Sequence, residues 1–305
     1  MLQYLEWRSR VLIFFLGTSG LGAKCIEYLA PHNPGHIYFT GRNKSRADEV
    51  ITKVQASSPN VPITYIECDF KSLASVQAAS KELLSKSDRL DVLICNAGIM
   101  AMPAELTADG YEVQFQVNHL SHALMIKLLL PLLKRTASQP TADVRIVNLS
   151  SVAYDLAPRD GIQFSGLKTP QKYLGFSSPF SAWRRYGQSK LANFLYPAQI
   201  SAHHPDICAI AVHPGVITEG TDLFSNTGFF TRLPALLINY GKGVSVEEGT
   251  WNQTWAATCP RERLTAGAYY VPVGEKEAPR TKYAKSEKLA EELWVWTQKE
   301  LERWT

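Results

Sequence analysis

Short apolar runs alternate with longer amphipathic stretches along most of the chain. The apolar runs have the length of buried β-strands, and the stretches between them carry apolar residues at helical spacing. The pattern predicts six strands, at residues 11–15, 36–40, 63–67, 91–95, 144–148 and 208–212. It predicts helices at residues 23–29, 47–56, 72–84 and 109–133, around Tyr186, and at residues 286–304.

Strands that alternate with helices in this way are typical of an α/β fold in which helices cover both faces of a parallel sheet. We therefore expect a doubly wound, Rossmann-type sheet that binds its ligands at the carboxyl ends of the strands. No linker rich in Pro, Gly or Ser divides the 305 residues. We expect a single domain over residues 1–305, with a cofactor half at about 11–150 and a catalytic and substrate half at about 151–305.

Composition narrows the class of protein further. With 45% hydrophobic and 20% charged residues, the chain is typical of a globular protein. The formal net charge is +4, but no run of Lys and Arg is dense enough to indicate a nucleic-acid partner. The five cysteines form no C-x-x-C pair, and there is no H-E-x-x-H motif. We therefore expect reduced thiols and no metal site.

The first residues invite comparison with a secretory signal peptide. Arg8 and Arg10 precede a short apolar run, and a cleavage site near Ala23 would complete the pattern. The run is only six residues long, however, and cleavage there would remove a glycine-rich turn. No stretch reaches the roughly twenty apolar residues that span a membrane. We expect a soluble, cytoplasmic protein with no membrane span.

The glycine-rich turn follows the first predicted strand and opens the first predicted helix. At such a position, backbone N–H groups and the helix dipole can bind a pyrophosphate. The turn therefore predicts a dinucleotide-binding site formed by Gly17, Ser19, Gly20, Leu21 and Gly22.

Three further strand ends carry candidate cofactor contacts. Arg42 follows the second strand, where an acid would favour NAD, and its guanidinium instead suits the 2′-phosphate of NADP(H). The alternative is a solvated loop arginine. Asp69 follows the third strand and is placed to accept from the adenine amino group. After the fourth strand, Asn96-Ala-Gly98 allows close approach of the backbone to the cofactor, because Gly98 has no side chain.

Candidate proton chemistry lies at Tyr186 and Lys190. Their spacing of four residues puts both side chains on one face of a helix. An ammonium close to a phenol favours the phenolate, so we expect the Tyr186 pKa to fall from about 10 towards neutrality. Such a phenol can act as a general acid or base. The alternative is a solvated Lys beside a half-buried Tyr.

Several longer stretches carry a resemblance to a known family. They are Ala108-Asp-Gly-Tyr-Glu-Val-Gln-Phe-Gln-Val-Asn-His-Leu120, Arg145-Ile-Val-Asn-Leu-Ser-Ser151, Tyr186-Gly-Gln-Ser-Lys-Leu-Ala-Asn193, His213-Pro-Gly-Val216 and Gly267-Ala-Tyr-Tyr-Val-Pro-Val-Gly274. Together with the glycine-rich turn, they resemble the short-chain dehydrogenase/reductase family. The sequence is most similar to the retinol-dehydrogenase-like and WW-domain-oxidoreductase-like branch, in the form common in fungal secondary metabolism. The resemblance covers residues 11–304.

The resemblance implies a catalytic set of Asn118, Ser151, Tyr186 and Lys190. In that family pattern, the two hydroxyls bind the substrate carbonyl while NADPH delivers hydride, and the Tyr supplies the proton. The Lys holds the nicotinamide ribose, and the Asn anchors a water that replaces the proton. Ser150 is the alternative to Ser151, and Asn118 has the alternative role of a helix-kink side chain.

The resemblance also implies contacts to the nicotinamide end of the cofactor from Pro214, Gly215, Ile217 and Thr218, with Thr221 as the alternative threonine. In one place the sequence departs from the family pattern Thr-Gly-x-x-x-Gly-x-Gly. Phe15-Leu16 stands where Thr-Gly belongs, and a Leu side chain there would crowd the turn or reach towards the phosphates.

Two apolar segments are candidate walls of the substrate site. Residues 154–185 and 220–242 are rich in aromatic and leucine side chains, which indicates a bulky, apolar small-molecule substrate. The alternative is that these side chains simply pack on the domain. The last predicted helix carries Leu289, Leu293, Trp296 and Leu301 at helical spacing, which predicts a packed helix or a homodimer contact.

Three classes of function are compatible with these features. The leading one is an NADP(H)-dependent oxidoreductase that interconverts a ketone or aldehyde and an alcohol. The second is a non-redox isomerase or cyclase that uses Ser151 and Tyr186 as acid/base groups. The third is an inactive dinucleotide-binding protein that acts through partners, and only Leu16 favours it.

Overall fold

The computed structural model describes residues 10–14, 17–174, 178–217 and 243–305. In these residues, eight strands form one sheet in the order β3-β2-β1-β4-β5-β6-β7-β8. They are β1 (Val11–Phe14), β2 (His36–Gly41), β3 (Ile63–Glu67), β4 (Val92–Cys95), β5 (Val144–Leu149), β6 (Ile207–Val212), β7 (Tyr269–Val271) and β8 (Glu275–Glu277). Neighbouring strands are parallel from β3 to β7, and β8 alone is antiparallel. The predicted α/β doubly wound sheet is confirmed.

Eight α-helices accompany the sheet in the described residues. They are α1 (Gly20–Leu29), α2 (Lys44–Ser57), α3 (Leu73–Lys86), α4 (Val113–Phe115), α5 (Ser121–Ala137), α6 (Ser178–His203), α7 (Val246–Thr258) and α8 (Glu287–Glu300). Several begin at a capping side chain; Ser245, for example, forms a reciprocal capping box with Glu248 at the start of α7. These caps satisfy N–H groups that the first helical turn leaves without a partner.

The six predicted strands lie within one residue of the observed ones. The two short strands β7 and β8 were not predicted, because three residues are too few to show a periodic pattern. Strand β8 has the sequence Glu-Lys-Glu and lies at the edge of the sheet, where charged side chains are common.

The prediction of one helix over residues 109–133 is wrong. The structure has the short helix α4, then a π-helical turn at Gln116–Leu120, and only then α5. Residues 109–112 precede α4 as a turn, closed by a bridge between Leu106 and Glu112. Apolar spacing does not distinguish a π turn from the α-helix on either side, so the sequence pattern predicted one continuous helix across it.

The core lies on both faces of the sheet, as the alternation of side chains along a strand requires. Ile13 and Leu93 point to the face covered by α3, α5, α6 and α8, whereas Leu12 and Ile94 point to the face covered by α1, α2 and α7. Helix α8 packs through Leu293, and Trp296 stands edge-on to Phe115 with ring centroids 5.7 Å apart. The apolar side of α8 therefore faces its own chain.

Among the described residues, no helix has the length and hydropathy to cross a membrane. The five cysteines are free and buried. Over the same part of the chain, no cluster of three or more His, Cys, Asp or Glu side chains could hold a metal ion.

Candidate active site

Tyr186 and Ser151 meet where α6 crosses the carboxyl end of β5. The Tyr186 side chain is 6% exposed and packs with Met100, Ala101 and Ala182. Its hydroxyl is hydrogen-bonded to Ser151. A Cβ on Gly187 would lie 2.7 Å from the Ala153 carbonyl oxygen, so glycine here lets the segment after Ser151 approach α6 closely.

The two adjacent serines have different surroundings. Ser150 is buried, and its Oγ donates to the Lys190 carbonyl oxygen at 2.8 Å. Ser151 is partly exposed, and its Oγ accepts from Ala153 N at 3.2 Å at the start of a 3₁₀-helix. The structure therefore brings Ser151, and not Ser150, to the Tyr186 hydroxyl.

Lys190 lies beneath the Tyr186 ring. Its side chain is buried, its Nζ is 5.7 Å from the ring centroid, and it donates to the Leu149 carbonyl oxygen at 2.9 Å. Burial lowers the pKa of Lys190 to about 8. A Cβ added to Gly98 would lie 3.5 Å from Lys190 Nζ and 3.6 Å from Asn118 Oδ1, so the three residues meet at one place.

The prediction that the Tyr186 pKa falls is wrong. Burial raises the pKa of Tyr186 to about 12, although the hydrogen bond with Ser151 acts in the opposite direction. The helical spacing of Tyr186 and Lys190 shows that they are neighbours, but it does not show that both are buried. Desolvation disfavours both the phenolate and the ammonium, and it is the largest cause of both pKa shifts.

Asn118 lies in the π-helical turn, with both ends of its side-chain amide engaged. Its Oδ1 accepts from Ile99 N at 2.8 Å, while Nδ2 donates to Ile99 O at 2.9 Å and to Ser189 Oγ at 2.8 Å. These bonds tie the loop after β4 to helix α6. The helix-kink role fits these contacts, and the water-anchoring role stays a prediction.

The glycine-rich turn joins β1 to α1 by close packing. Gly17 N donates to Thr40 O at 3.0 Å, and a Cβ on Gly17 would come within 2.5 Å of Ile26 Cδ1. Gly20 opens α1 with a φ of +53°, and Ser19 stands at the N-cap without using its side chain as a cap. The first N–H groups of α1 therefore stay available to an anion.

The remaining residues of the turn support its position. Gly22 is buried, and the Leu21 carbonyl oxygen accepts from Gln253 Nε2 at 3.3 Å. Phe15 and Leu16, where the sequence departs from the family pattern, lie outside the described residues.

Arg42 lies beside this turn at the end of β2. It is exposed, and it follows Gly41, where an added Cβ would come within 2.3 Å of Thr18 Cγ2 in the turn. Asp69 follows β3 and is partly engaged in local structure, since its Oδ1 accepts from Lys71 N at 3.0 Å. Asn96 and Gly98 follow β4 as predicted.

The nicotinamide-side candidates follow β6. Pro214 leads into Gly215, which has a φ of +95°, and a Cβ there would lie 2.8 Å from Val244 Cγ2. Ile217 forms a β-bridge with Val244. Thr218 and Thr221 lie outside the described residues.

Only part of the predicted substrate walls can be located. Trp183 stands edge-on to Tyr186 with ring centroids 6.1 Å apart, while Tyr173 and Phe180 are 79% and 65% exposed. Phe164 instead packs on Trp296 of α8, so for this side chain the packing alternative is correct. Phe176 and residues 220–242 lie outside the described residues.

Sequence reasoning missed a buried ion pair beside Tyr186. Arg185 Nε lies 3.2 Å from Glu112 Oε1 and both side chains are buried; the geometry is that of an ion pair and not of a hydrogen bond. Burial raises the pKa of Glu112 to about 7, against the lowering effect of Arg185. Arg185 lies on the same helical face as Ala182 and Ser189, but helical spacing alone does not show that this face is buried.

Comparison with known proteins agrees with this geometry. The sequence profile described as short chain dehydrogenase matches residues 11–165. The chain is 32% identical to the short-chain dehydrogenase/reductase drtF of Aspergillus calidoustus, covering 97% of this chain and 94% of that protein. It is also 32% identical to the polyprenol dehydrogenase of Homo sapiens, covering 94% of this chain and 83% of that protein.

Among solved structures, an uncharacterised protein from Mycobacterium paratuberculosis superposes with a TM-score of 0.71 at 25% identity. The superposition covers 98% of this chain and 96% of that one. The fold, the matched profile and the relatives agree. The chain belongs to the short-chain dehydrogenase family of oxidoreductases.

Proposed function

We propose that the protein is an NADP(H)-dependent oxidoreductase that interconverts a ketone or aldehyde and an alcohol on a bulky, apolar small molecule. The observation that carries the proposal is the position of Tyr186 in an apolar patch. Its hydroxyl is hydrogen-bonded to Ser151, and its ring lies over the Lys190 ammonium. A buried phenol that reaches a second hydroxyl can hold and protonate one carbonyl oxygen.

The residues present fit a dinucleotide. Gly20 turns the chain into α1, and the Ser19 side chain does not cap the first N–H groups of this helix, which suits a pyrophosphate. Gly98 leaves room beside Lys190 and Asn118 that a side chain would fill. When bound, NADPH supplies the hydride that reduces the carbonyl carbon. The residues that would hold the cofactor are Gly17, Ser19, Gly20, Leu21, Gly22, Arg42, Asp69, Asn96, Gly98, Tyr186, Lys190, Pro214, Gly215, Ile217 and Thr218.

The catalytic residues divide the proton chemistry between them. Ser151 Oγ and the Tyr186 hydroxyl would donate to the carbonyl oxygen and draw electron density from the carbonyl carbon. Because burial raises the Tyr186 pKa to about 12, the phenol keeps its proton at neutral pH until the oxygen gains charge. Lys190, with a pKa of about 8, would then return a proton to Tyr186, and Asn118 would anchor a water that replaces the proton on Lys190.

Arg42 supports the choice of NADP(H) over NAD(H). It is exposed at the end of β2, next to the glycine that packs on the turn, so its guanidinium is available to a 2′-phosphate. An acid, which would repel that phosphate, is absent from this position of the sequence.

The apolar surroundings of Tyr186 support a bulky, apolar substrate. Met100, Ala101, Ala182 and Trp183 form the patch around the phenol. The human relative is named a polyprenol dehydrogenase, which is consistent with an apolar alcohol as the substrate class. We also propose that the protein acts in secondary-metabolite synthesis, is cytoplasmic and forms a homodimer.

The test is NADPH consumption with a panel of n-alkanals and cyclic ketones, measured beside NADPH binding by calorimetry. We expect consumption to rise with the apolar size of the carbonyl compound and to vanish in Tyr186→Phe. Binding of NADPH without consumption for any carbonyl would favour the isomerase or cyclase alternative. Absence of binding would favour an inactive protein.

A further inference from the structure

One arginine side chain joins three parts of the chain next to the proposed catalytic tyrosine. Arg185, which immediately precedes Tyr186, is among the largest fully buried side chains. Its Nε pairs with Glu112, its Nη1 donates to Gln171 O at 3.1 Å, and its Nη2 donates to Met102 O at 2.8 Å. Met102 belongs to the loop after β4, and Gln171 belongs to the long segment between Ser151 and α6.

One of the two carbonyl groups belongs to a residue in a backbone conformation that L-residues seldom adopt, and the other directly follows such a residue. Gln171 has a φ of +49°, and Ala101, which precedes Met102, also has a φ of +49°. A side chain with a Cβ is disfavoured in this left-handed region, so the conformation persists only where surrounding contacts hold it. Ala101 belongs to the same apolar cluster as Tyr186, so the conformation of this loop shapes the patch around the phenol.

Glu112 extends the connection to the segment that carries Asn118. Its Oε2 accepts from Phe115 N at 2.7 Å at the start of α4, which leads directly into the π-helical turn. Its backbone N donates to Leu167 O at 2.8 Å in the long segment. One ion pair therefore holds the loop after β4, the segment after Ser151 and the approach to Asn118 against α6.

A second set of bonds fixes the long segment to the same helix. Gln188 Nε2 donates to Gln171 Oε1 at 3.0 Å, and Gln188 Oε1 accepts from Gln163 N at 2.8 Å. These bonds from Gln188 hold residues 163–171 against α6, and the guanidinium of Arg185 additionally fixes the Gln171 carbonyl group.

Building on the proposed function, we propose that the Glu112–Arg185 pair is a positioning element that fixes residues 99–102 as a wall of the substrate cleft around Tyr186 and holds residues 163–171 against α6. By fixing this wall, the pair sets which apolar carbonyl compounds reach the phenol. The pair does not touch the reacting atoms in this proposal; it acts through the Met102 and Gln171 carbonyls.

Arg145 provides a matched control, because it is a buried arginine whose contacts can stabilise the fold but lie away from the cleft. Arg145 is also fully buried, pairs with Asp143, and donates to Ala256 O at 3.0 Å and Cys259 O at 2.7 Å. It lies near the amino end of β5, whereas Ser151 and Tyr186 lie at the carboxyl end of that strand. It therefore has the same chemistry as Arg185 without contact to the cleft.

The first experiment compares Arg185→Lys with Arg145→Lys. Lysine keeps the charge but cannot reproduce the planar fork that reaches two carbonyls and a carboxylate. We expect Arg185→Lys to lower kcat/KM for n-alkanals at least tenfold, mainly through KM, and to flatten its dependence on chain length. The Kd for NADPH should stay within about twofold. Arg145→Lys should lower Tm and leave the chain-length dependence unchanged.

Hydrogen exchange provides a readout that does not depend on activity. Exchange in residues 99–102 and 163–171 should be faster in Arg185→Lys than in the wild type or in Arg145→Lys. Unchanged exchange would overturn the positioning role. Wild-type protein that consumes no NADPH with any carbonyl would instead refute the proposed function, and the exchange comparison would still test the positioning.

The double variant Glu112→Gln/Arg185→Met separates positioning from stability. Removing both charges leaves no buried charge without a partner, so we expect Tm to recover most of what a single substitution loses. The carbonyl contacts stay absent, so kcat/KM should remain at least tenfold low. If the double variant recovers both Tm and kcat/KM to within twofold of the wild type, the pair is structural only and the proposal is wrong.

Discussion

The substitution Gly98→Ala adds one methyl group, which should weaken cofactor binding without lowering the stability of the fold. A Cβ on Gly98 would lie 3.5 Å from Lys190 Nζ and 3.6 Å from Asn118 Oδ1, which are ordinary van der Waals distances. Gly98 is also not among the glycines with positive φ, so alanine fits its backbone. We therefore expect Gly98→Ala to fold with a stability equal to the wild type or up to about 1 kcal/mol higher, because alanine restricts the unfolded chain.

NADPH binding, in contrast, should be weaker in Gly98→Ala than in the wild type. If the cofactor approaches the backbone here, the methyl group occupies space that the cofactor needs, and overpacking of this kind costs about 1–3 kcal/mol. That cost corresponds to a Kd higher by roughly 5-fold to 150-fold. Calorimetric titration with NADPH, beside thermal unfolding of the free protein, measures both quantities.

Gly17→Ala is the contrasting control. A Cβ there would lie 2.5 Å from Ile26 Cδ1 and 3.0 Å from Phe39 Cβ, so the packing of β1 and α1 must shift. We expect Gly17→Ala to lose about 1–3 kcal/mol of stability before any ligand is added. A Gly98→Ala protein with wild-type stability and a Kd within twofold of the wild type would refute the placement of the cofactor.

Four further predictions concern single groups. Tyr186→Phe should abolish turnover while the Kd for NADPH stays within about twofold; retention of a tenth of the turnover would contradict its role as proton donor. Ser151→Ala should lower kcat by about 10²-fold or more, whereas Ser150→Ala should mainly lower the free energy of unfolding, by ~1 kcal/mol; equal losses of kcat would show that the serines were assigned wrongly. Arg42→Ala should weaken NADPH binding about 10-fold to 100-fold, for a charge-assisted contact of roughly 1.5–3 kcal/mol, and leave NADH binding unchanged; equal losses would argue for another role. Burial lowers the pKa of His119 to about 3 in the folded protein. Below pH 6.5 the unfolded chain therefore binds more protons than the folded one, and the free energy of unfolding should fall by up to ~4 kcal/mol as the pH drops from about 6.5 to 3. Urea unfolding of His119→Gln should show a smaller drop over this range.

The strands could be predicted because burial on both faces leaves continuous apolar runs. Such runs located β1 to β6, from Leu12 in the middle of the sheet to Ile210 near its far side. The π-helical turn could not be predicted, because its hydrogen-bond shift leaves the apolar pattern around Asn118 unchanged. Strand β8 has only charged residues and no apolar signal at all.

Proximity within the site could be predicted from the sequence, but the electrostatics could not. The spacing of Tyr186 and Lys190 placed both on one face of α6, and the structure agrees. Their pKa shifts depend on burial, which comes from loops and helices far away in the sequence. Arg185 and Glu112 were missed for the same reason, because charged side chains are usually exposed and only tertiary packing shows that these two are buried.

The strand order has a consequence for the growing chain during synthesis. Strand β1 lies between β2 and β4, and Val11 N donates to Asp91 Oδ2, a partner 80 residues further along the chain. At about 5–20 residues per second, one edge of β1 therefore waits roughly 4–16 seconds for its neighbour. During that interval an apolar edge strand is open to pairing with other chains. Expression temperature and chaperone supply should accordingly affect the yield of soluble protein more than its final stability does.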